Sequence, residues 1–391
     1  MRQVLVLLHR WLGLFTAVFL FIAGLTGAVI SWDHELDEWL NPQLFDSETP
    51  GERMSPLALA NQLEATDPRL QISFLPLHHE EGHALTVFVD RMVNPATGML
   101  YDTGFNQLAL NPVTGAVQAS REWGAVSLSR ENLLPFLYKL HYSLHMPDGF
   151  GIELGVLFMG IVAIVWLIDS GIALSISFPR RRSWRKSFAF RWHKGRNVVI
   201  FDLHRSGGVW LWLLLLMLAV TSVSMNLEQR VTRPLVALVS DLTPSPFASR
   251  TPNATENPIL PRIPREEAVR LAQVEAQQRG WTAPPGALFY SVEFGLYGVG
   301  FHEAGDEHGA GLGHPWLYLD GQDGRLLGDA VPGQGSAGDI FLQAQFPLHS
   351  GRIAGLPGRI LVSLLGLAVA GFSATGVLIW SRKRRRPAAG A

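Results

Sequence analysis

Apolar residues gather in four long runs, and the stretches between them alternate or cycle at shorter periods. Residues 11–32, about 152–178, 207–227 and 360–381 are each long enough, as helices, to cross a hydrocarbon core of about 30 Å. The first run is too long for the apolar part of a signal peptide and no A-x-A-like site follows it, so a retained helix is expected. Between the runs, the pattern predicts short helices at 56–64 and 265–279, where apolar residues recur at helical spacing. It predicts strands at 71–77, 84–90, 99–102, 287–293, 298–302 and 316–320, a hairpin over 108–117, and a turn at 320–324. The fold class expected is a membrane all-α core of four transmembrane helices with two small α+β outer domains. Residues 241–264, with TPSPF and TPNATENP, read as a proline-rich linker.

Charge orients this arrangement. Basic residues crowd the short loop RRRSWRKSFAFRWHKGR and the tail SRKRRR, and Arg2 and Arg10 flank the first run. Both ends and the loop are therefore expected on the cytoplasmic side, and residues 33–150 and 230–357 outside. The domain boundaries expected are a first membrane helix at 1–33, an outer domain at 34–130, and an outer helix with the second membrane helix at 131–178. A basic loop at 179–204, the third membrane helix at 205–228, an outer linker and domain at 229–340, the fourth helix at 341–381 and a basic tail at 382–391 complete the chain. Composition agrees with a membrane protein carrying sizeable soluble segments: of 391 residues, 48% are hydrophobic and 17% charged, for a net charge of −1. Cysteine is absent, which excludes disulfides, iron–sulfur clusters, CxxCH haem attachment and thiolate zinc.

The halves of the chain echo each other. Leu8-His9-Arg10 returns as Leu203-His204-Arg205 at an offset of 195, each with glycine four residues on (Gly13, Gly208). Thr114-Gly115 maps to Asp323-Gly324 at 209, His141 to His349 at 208, and Ser170-Gly171 to Thr375-Gly376 at 205. Each half thus runs helix, outer domain, helix, and the two are expected as parallel repeats about an axis along the membrane normal.

That relation brings histidines of opposite halves to equal depth. His9 and His204 mark one end of the bundle, and His141 or His145 with His349 the other. Two facing imidazoles are what a six-coordinate b-type haem requires, and small flanking residues such as Gly13, Gly24, Gly27, Gly208, Gly355, Gly358 and Gly366 would let a flat ring approach. The metal ligands expected are therefore His9, His204, His141 and His349, with His145, one helical turn beyond His141, left open as an alternative. Two non-covalent haem b groups follow as the cofactors. His34 lies roughly 37 Å beyond His9 along a helix, at the outer surface, and is a third-choice ligand or part of a substrate surface. Asp169, the acid inside a span, would hydrogen-bond a ligand histidine, pass a proton, or sit solvated at a helix end. The run His78-His79-Glu80-Glu81-Gly82-His83 reads as a polar turn or a metal cluster, and His302, His308 and His314 bracket a glycine-rich loop. No GxGxxG, Walker or GxSxG motif stands in context, so electrons are expected from a separate flavoprotein or from quinol.

The ordered series LHRWLGL, GLTGAVI, ELDEWLNP, LALNPVTG, LHYSL, DLHRSGGVW, YLDGQDG and PLHSG resembles the PepSY-associated transmembrane-helix family over essentially the whole chain. Among its iron-regulated inner-membrane proteins it resembles the ferrioxamine-type ferrisiderophore reductases, which hold two b haems. The resemblance implies PepSY-like periplasmic domains, His9 with His204 as ligands, and His349 with His141 or His145. It implies an enzyme of the bacterial inner membrane that reduces a ferric siderophore or other ferric chelate, with catalytic residues undefined and no nucleic-acid partner. The alternative from another class is a haem-free scaffold whose lobes bind a periplasmic protease or peptide.

Overall fold

The computed structural model describes residues 1–306 and 309–384. Nine helices and eight strands are used below. They are α1 (Arg2–Ile30), α2 (Pro56–Thr66), α3 (Leu133–Ser143), α4 (Leu154–Ser177), α5 (Arg196–Trp210), α6 (Trp212–Leu227), α7 (Arg265–Gln278), α8 (Gln345–Ser350) and α9 (Gly355–Arg384). The strands are β1 (Leu70–Pro76), β2 (Leu85–Arg91), β3 (Gln107–Leu110), β4 (Val117–Arg121), β5 (Pro285–Ser291), β6 (Leu296–Phe301), β7 (Trp316–Asp320) and β8 (Leu326–Ala330). The chain divides into two compact units, a helical one of residues 1–33, 137–240 and 341–391 and a sheet unit of residues 34–136 and 241–340.

In the helical unit, the stretches Arg2–Ile30, Leu154–Ser177, Trp212–Val236 and Arg352–Arg384 are long and apolar enough to span a membrane. The third extends past the expected 227 through a π turn at Glu228–Thr232. It also begins later than the expected 207, because Gly207 and Gly208 belong to α5, which ends at Trp210, and the apolar helix starts at Trp212. Burial is inverted relative to a soluble helix. On α1 the buried residues are Thr16, Ala17, Gly24 and Thr26, while Leu7, Trp11, Phe15, Val18, Leu25 and Val29 are exposed. Small and hydroxyl residues inside, with large apolar ones outside, is the pattern lipid selects, since helices in lipid gain by close packing rather than by hiding apolar surface. The tightest crossing is α1 on α9. A Cβ built on Gly24 would lie 2.5 Å from the Gly366 carbonyl, and one on Gly366 would lie 2.6 Å from that of Gly24.

The sheet unit departs from the expectation of two separate α+β domains. All eight strands form one antiparallel sheet in the order β4-β3-β2-β1-β5-β6-β7-β8. Each half contributes a helix and a four-stranded meander, and the meanders join where β1 pairs with β5 through Phe74↔Phe289, Leu75↔Leu288 and Pro76↔Ala287. One core spans both halves. Leu59 and Leu63 of α2, Ala268, Ala272 and Ala276 of α7, and Val87, Leu108, Val299 and Leu317 of the sheet all belong to it. A four-stranded half would expose the edge of β1 or β5, so pairing them removes two sticky edges at once. Residues 99–102 form no strand, only a bridge between Val93 and Leu100. β8 is an edge strand without the apolar alternation that would mark it in sequence, with no residue fully buried.

Candidate functional site

The helical unit brings four histidines together as two pairs. His9 of α1 faces His204 of α5 with ring centroids 6.2 Å apart, and His141 of α3 faces His349 of α8 at 6.1 Å. His141 touches α1 at Ala23 and Thr26, some 14–17 residues beyond His9, which separates the two levels by roughly 21–26 Å along that helix.

Every ring is held by Nδ1. His9 Nδ1 donates to the Asp169 carboxylate of α4, at 2.9 and 3.0 Å from its oxygens. His141 Nδ1 donates to the Ala23 carbonyl at 2.9 Å and to Thr26 Oγ1 at 3.1 Å. His204 Nδ1 donates to the Phe372 carbonyl and to Thr375 Oγ1 of α9, both at 3.1 Å. His349 Nδ1 donates to Thr221 Oγ1 of α6 at 2.9 Å. Carbonyls and carboxylates only accept, so the proton must sit on Nδ1. The threonines are committed likewise. Thr26, Thr221 and Thr375 each give their hydroxyl proton to a carbonyl on their own helix (Ile22, Met217 and Gly371, at 2.8, 2.9 and 2.7 Å) and are left to accept from histidine. In each neutral ring Nε2 is therefore the lone-pair nitrogen, and in all four it has no hydrogen-bond partner among the described residues. Fixing the tautomer from the far side is how proteins prepare an imidazole to bind a metal. Burial pushes His141 down to about 4 and His349 down to about 3, so both are neutral at physiological pH.

The pair spacing suits a shared metal atom. A metal–imidazole bond is about 2 Å and the ring centre lies about 1.1 Å behind the nitrogen, so two imidazoles on opposite sides of one metal have centroids about 6.2 Å apart. Gly13 and Gly208 lie one helical turn past His9 and His204 on the same faces. A Cβ built on Gly208 meets nothing within 4 Å, and one on Gly13 meets only Asp169 Oδ2 at 3.6 Å. Open space thus adjoins Gly208, and Gly13 lies in ordinary contact with the carboxylate that holds His9. The other glycines expected to admit a flat ring have different work. Gly24 and Gly366 make the helix crossing, Gly358 backs onto Gly351, and Gly27 makes room for the His141 ring itself, whose Cε1 would lie 2.9 Å from a Cβ there. Gly376, named in sequence only for its place in the overlay of the halves, does the same for His204, at 3.2 Å.

His145 does not join the pair. α3 ends at Ser143, and Leu144 and His145 take left-handed backbone angles (φ 55° and 53°), so the expected i, i+4 relation to His141 is broken. His34 sits in the sheet unit against Phe45. Asp169, open between three roles, is buried and holds His9. The His78–His83 run is not drawn to one point. His78 bonds the His302 carbonyl, His79 the Met54 carbonyl, and His83 the Glu81 carbonyl and Glu38. His83 does bring a nitrogen within 4.8 Å of oxygens of Glu38 and Asp46. His302 and His314 stack at 5.0 Å, and His308 lies outside the described residues. The threonine acceptors were the residues missed in sequence, although Thr26 and Thr221 are related by 195 positions, the His9–His204 offset.

A family model described as PepSY-associated TM region matches residues 6–383, nearly the whole chain. No curated protein matches it.

Proposed function

The chain belongs to the PepSY-associated TM region family, a multi-pass membrane protein by its four apolar helices, and from that footing we propose that it is a di-haem b oxidoreductase of the bacterial inner membrane. One haem is held between His9 and His204 and the other between His141 and His349. Electrons enter from a flavoprotein on the cytoplasmic side or from quinol and leave on the periplasmic side, where a ferric siderophore or other ferric chelate is reduced and Fe(II) released. The termini are cytoplasmic and the sheet unit periplasmic, by the excess of Arg and Lys in residues 180–205.

The observation that carries this reading is the pair of repeat-related histidine couples, 6.2 and 6.1 Å apart, each ring with Nδ1 engaged and Nε2 available. A protein that used these histidines only to fill space would have no need to fix all four tautomers the same way. When bound, haem supplies reversible one-electron chemistry at its iron. The chain supplies the rest. Helix carbonyls, threonine hydroxyls and Asp169 orient the imidazoles, the buried setting keeps His141 and His349 neutral, and the open face at Gly208 admits a flat ring. With no cysteine, attachment is non-covalent. Reduction releases the metal because the lower-charged Fe(II) is held less tightly by the hard oxygen donors of a siderophore.

Absorption spectroscopy tests the reading. Purified protein is expected to show a b-type Soret band that shifts on dithionite reduction, and His9→Ala or His349→Ala should each remove about half of it. A colourless protein, or an unaltered band in both variants, overturns the assignment and favours the haem-free scaffold that binds a periplasmic protease or peptide. Dithionite-reduced, haem-loaded protein mixed with a panel of ferric siderophores and a ferrous-specific chelator then identifies the substrate.

A further inference from the structure

The four histidines share a tautomer but not a partner. Three donate to neutral acceptors: His141 to a carbonyl and Thr26, His204 to a carbonyl and Thr375, and His349 to Thr221. His9 alone donates to a carboxylate, and both oxygens of Asp169 lie within 3.0 Å of its Nδ1. Asp169 is 7% exposed and sits on a membrane-spanning helix, so water does little to dilute its charge. We propose that Asp169 sets the two histidine pairs at different reduction potentials, making iron held by His9 and His204 the harder of the two to reduce. The inference rests on the reading of these pairs as haem ligands.

The physical cause is the strength of the hydrogen bond. A charge-assisted bond is about twice as strong as a neutral one, and it draws the Nδ1 proton toward the carboxylate. Electron density then moves to Nε2, and the ring becomes a stronger donor. A stronger donor and a nearby negative charge both favour the more positive oxidation state of the iron, which lowers its potential. Arg205 follows His204 in the chain, but its guanidinium is directed to Asp202 and the Lys186 carbonyl. At the other level no carboxylate among the described residues bonds either ring, and the acceptors at His141 and His349 are a carbonyl and hydroxyls. The asymmetry lies between two similarly placed acceptors: the Phe372 carbonyl and Thr375 serve His204, whereas Asp169, which aligns with Ala374 at the offset of 205, serves His9. It makes the His9 level the electron-entry end and the His141 level the one that fills first.

A redox titration of the purified, haem-loaded full chain, followed in the Soret and α bands, tests this. The wild-type protein should titrate as two components. In Asp169→Asn the lower component should move up by at least about tenfold in its equilibrium constant, about 59 mV for one electron. The upper component and the haem content should stay unchanged, and Asp169→Glu should keep most of the separation. Potentials unmoved in Asp169→Asn, or both moved equally, overturn the proposal, as does loss of the haem from that level, which would make Asp169 a support and not a tuner. Absence of haem from the wild-type protein is a separate result, seen before any titration, and it removes the ligand reading itself.

Discussion

At the scale of single residues, the decisive groups are hydroxyls and a carboxylate that stand behind the histidines. A buried hydroxyl whose proton is already spent on its own helix can do one thing for a neighbouring imidazole, which is to accept from it. Thr221→Val keeps the shape and removes that acceptor, leaving His349 Nδ1 unsatisfied. The expected outcome is a loss of about 10–100-fold in haem affinity at the His141/His349 level, with Thr221→Ser restoring it. Haem content at limiting haem, resolved with His9→Ala as background, measures this. His141 should tolerate the matching change Thr26→Val better, because its Nδ1 also reaches the Ala23 carbonyl. The histidines were legible in sequence as residues that recur at repeat spacing. Their acceptors were less so, since threonine in an apolar helix usually caps its own backbone and carries no mark of a second duty.

At the scale of elements, two contacts hold parts of the chain at defined distances. Gly24 and Gly366 let α1 and α9 touch backbone to backbone, and Gly24→Ala would press a Cβ onto the Gly366 carbonyl and onto Ala370 N, 2.5 and 3.0 Å away. Neither obstacle is a flexible side chain, so the helices must part. A destabilisation of about 1–3 kcal/mol is expected, read from unfolding in detergent. The second contact carries a pH dependence. The hydrogen bond from His83 to Glu38, 2.9 Å long, raises the histidine above its ordinary value near 6.5. A group raised in the folded state adds stability that is fully present below the unfolded value and fades as pH climbs through the folded one. The turn at residues 78–84 should therefore become less protected from hydrogen exchange as pH rises from about 6 to 9, after correction for intrinsic exchange. Glu38→Gln should abolish that trend. His145 shows why an element's end matters as much as its periodicity. On paper it shares a helix face with His141, but the helix stops two residues before it.

At the scale of the molecule, the two halves of the chain meet differently in the two units. In the helical unit the halves pair histidine with histidine, and in the sheet unit they pair strand with strand. The β1–β5 junction merges two meanders into one cooperative sheet, so damage at the junction should spread to both. Leu288→Pro removes a ladder donor opposite Leu75. Hydrogen exchange on the full chain is expected to show strands of both halves losing protection together, whereas two independent lobes would confine the loss to residues 285–330.

The sequence by itself determined the four long apolar helices, most of the strands and the histidines that recur at similar spacing in the two halves. These are properties of local hydrophobic period and of spacing, and each is written in consecutive residues. Tertiary structure decided that the meanders share one sheet, because edge pairing is a choice between distant strands that look alike from within either half. It likewise decided that His141 faces His349, that threonines and Asp169 lie behind the rings, and that Gly24 and Gly366 serve a helix crossing. Those outcomes depend on where a helix stops and on which face meets which neighbour, and packing alone settles both.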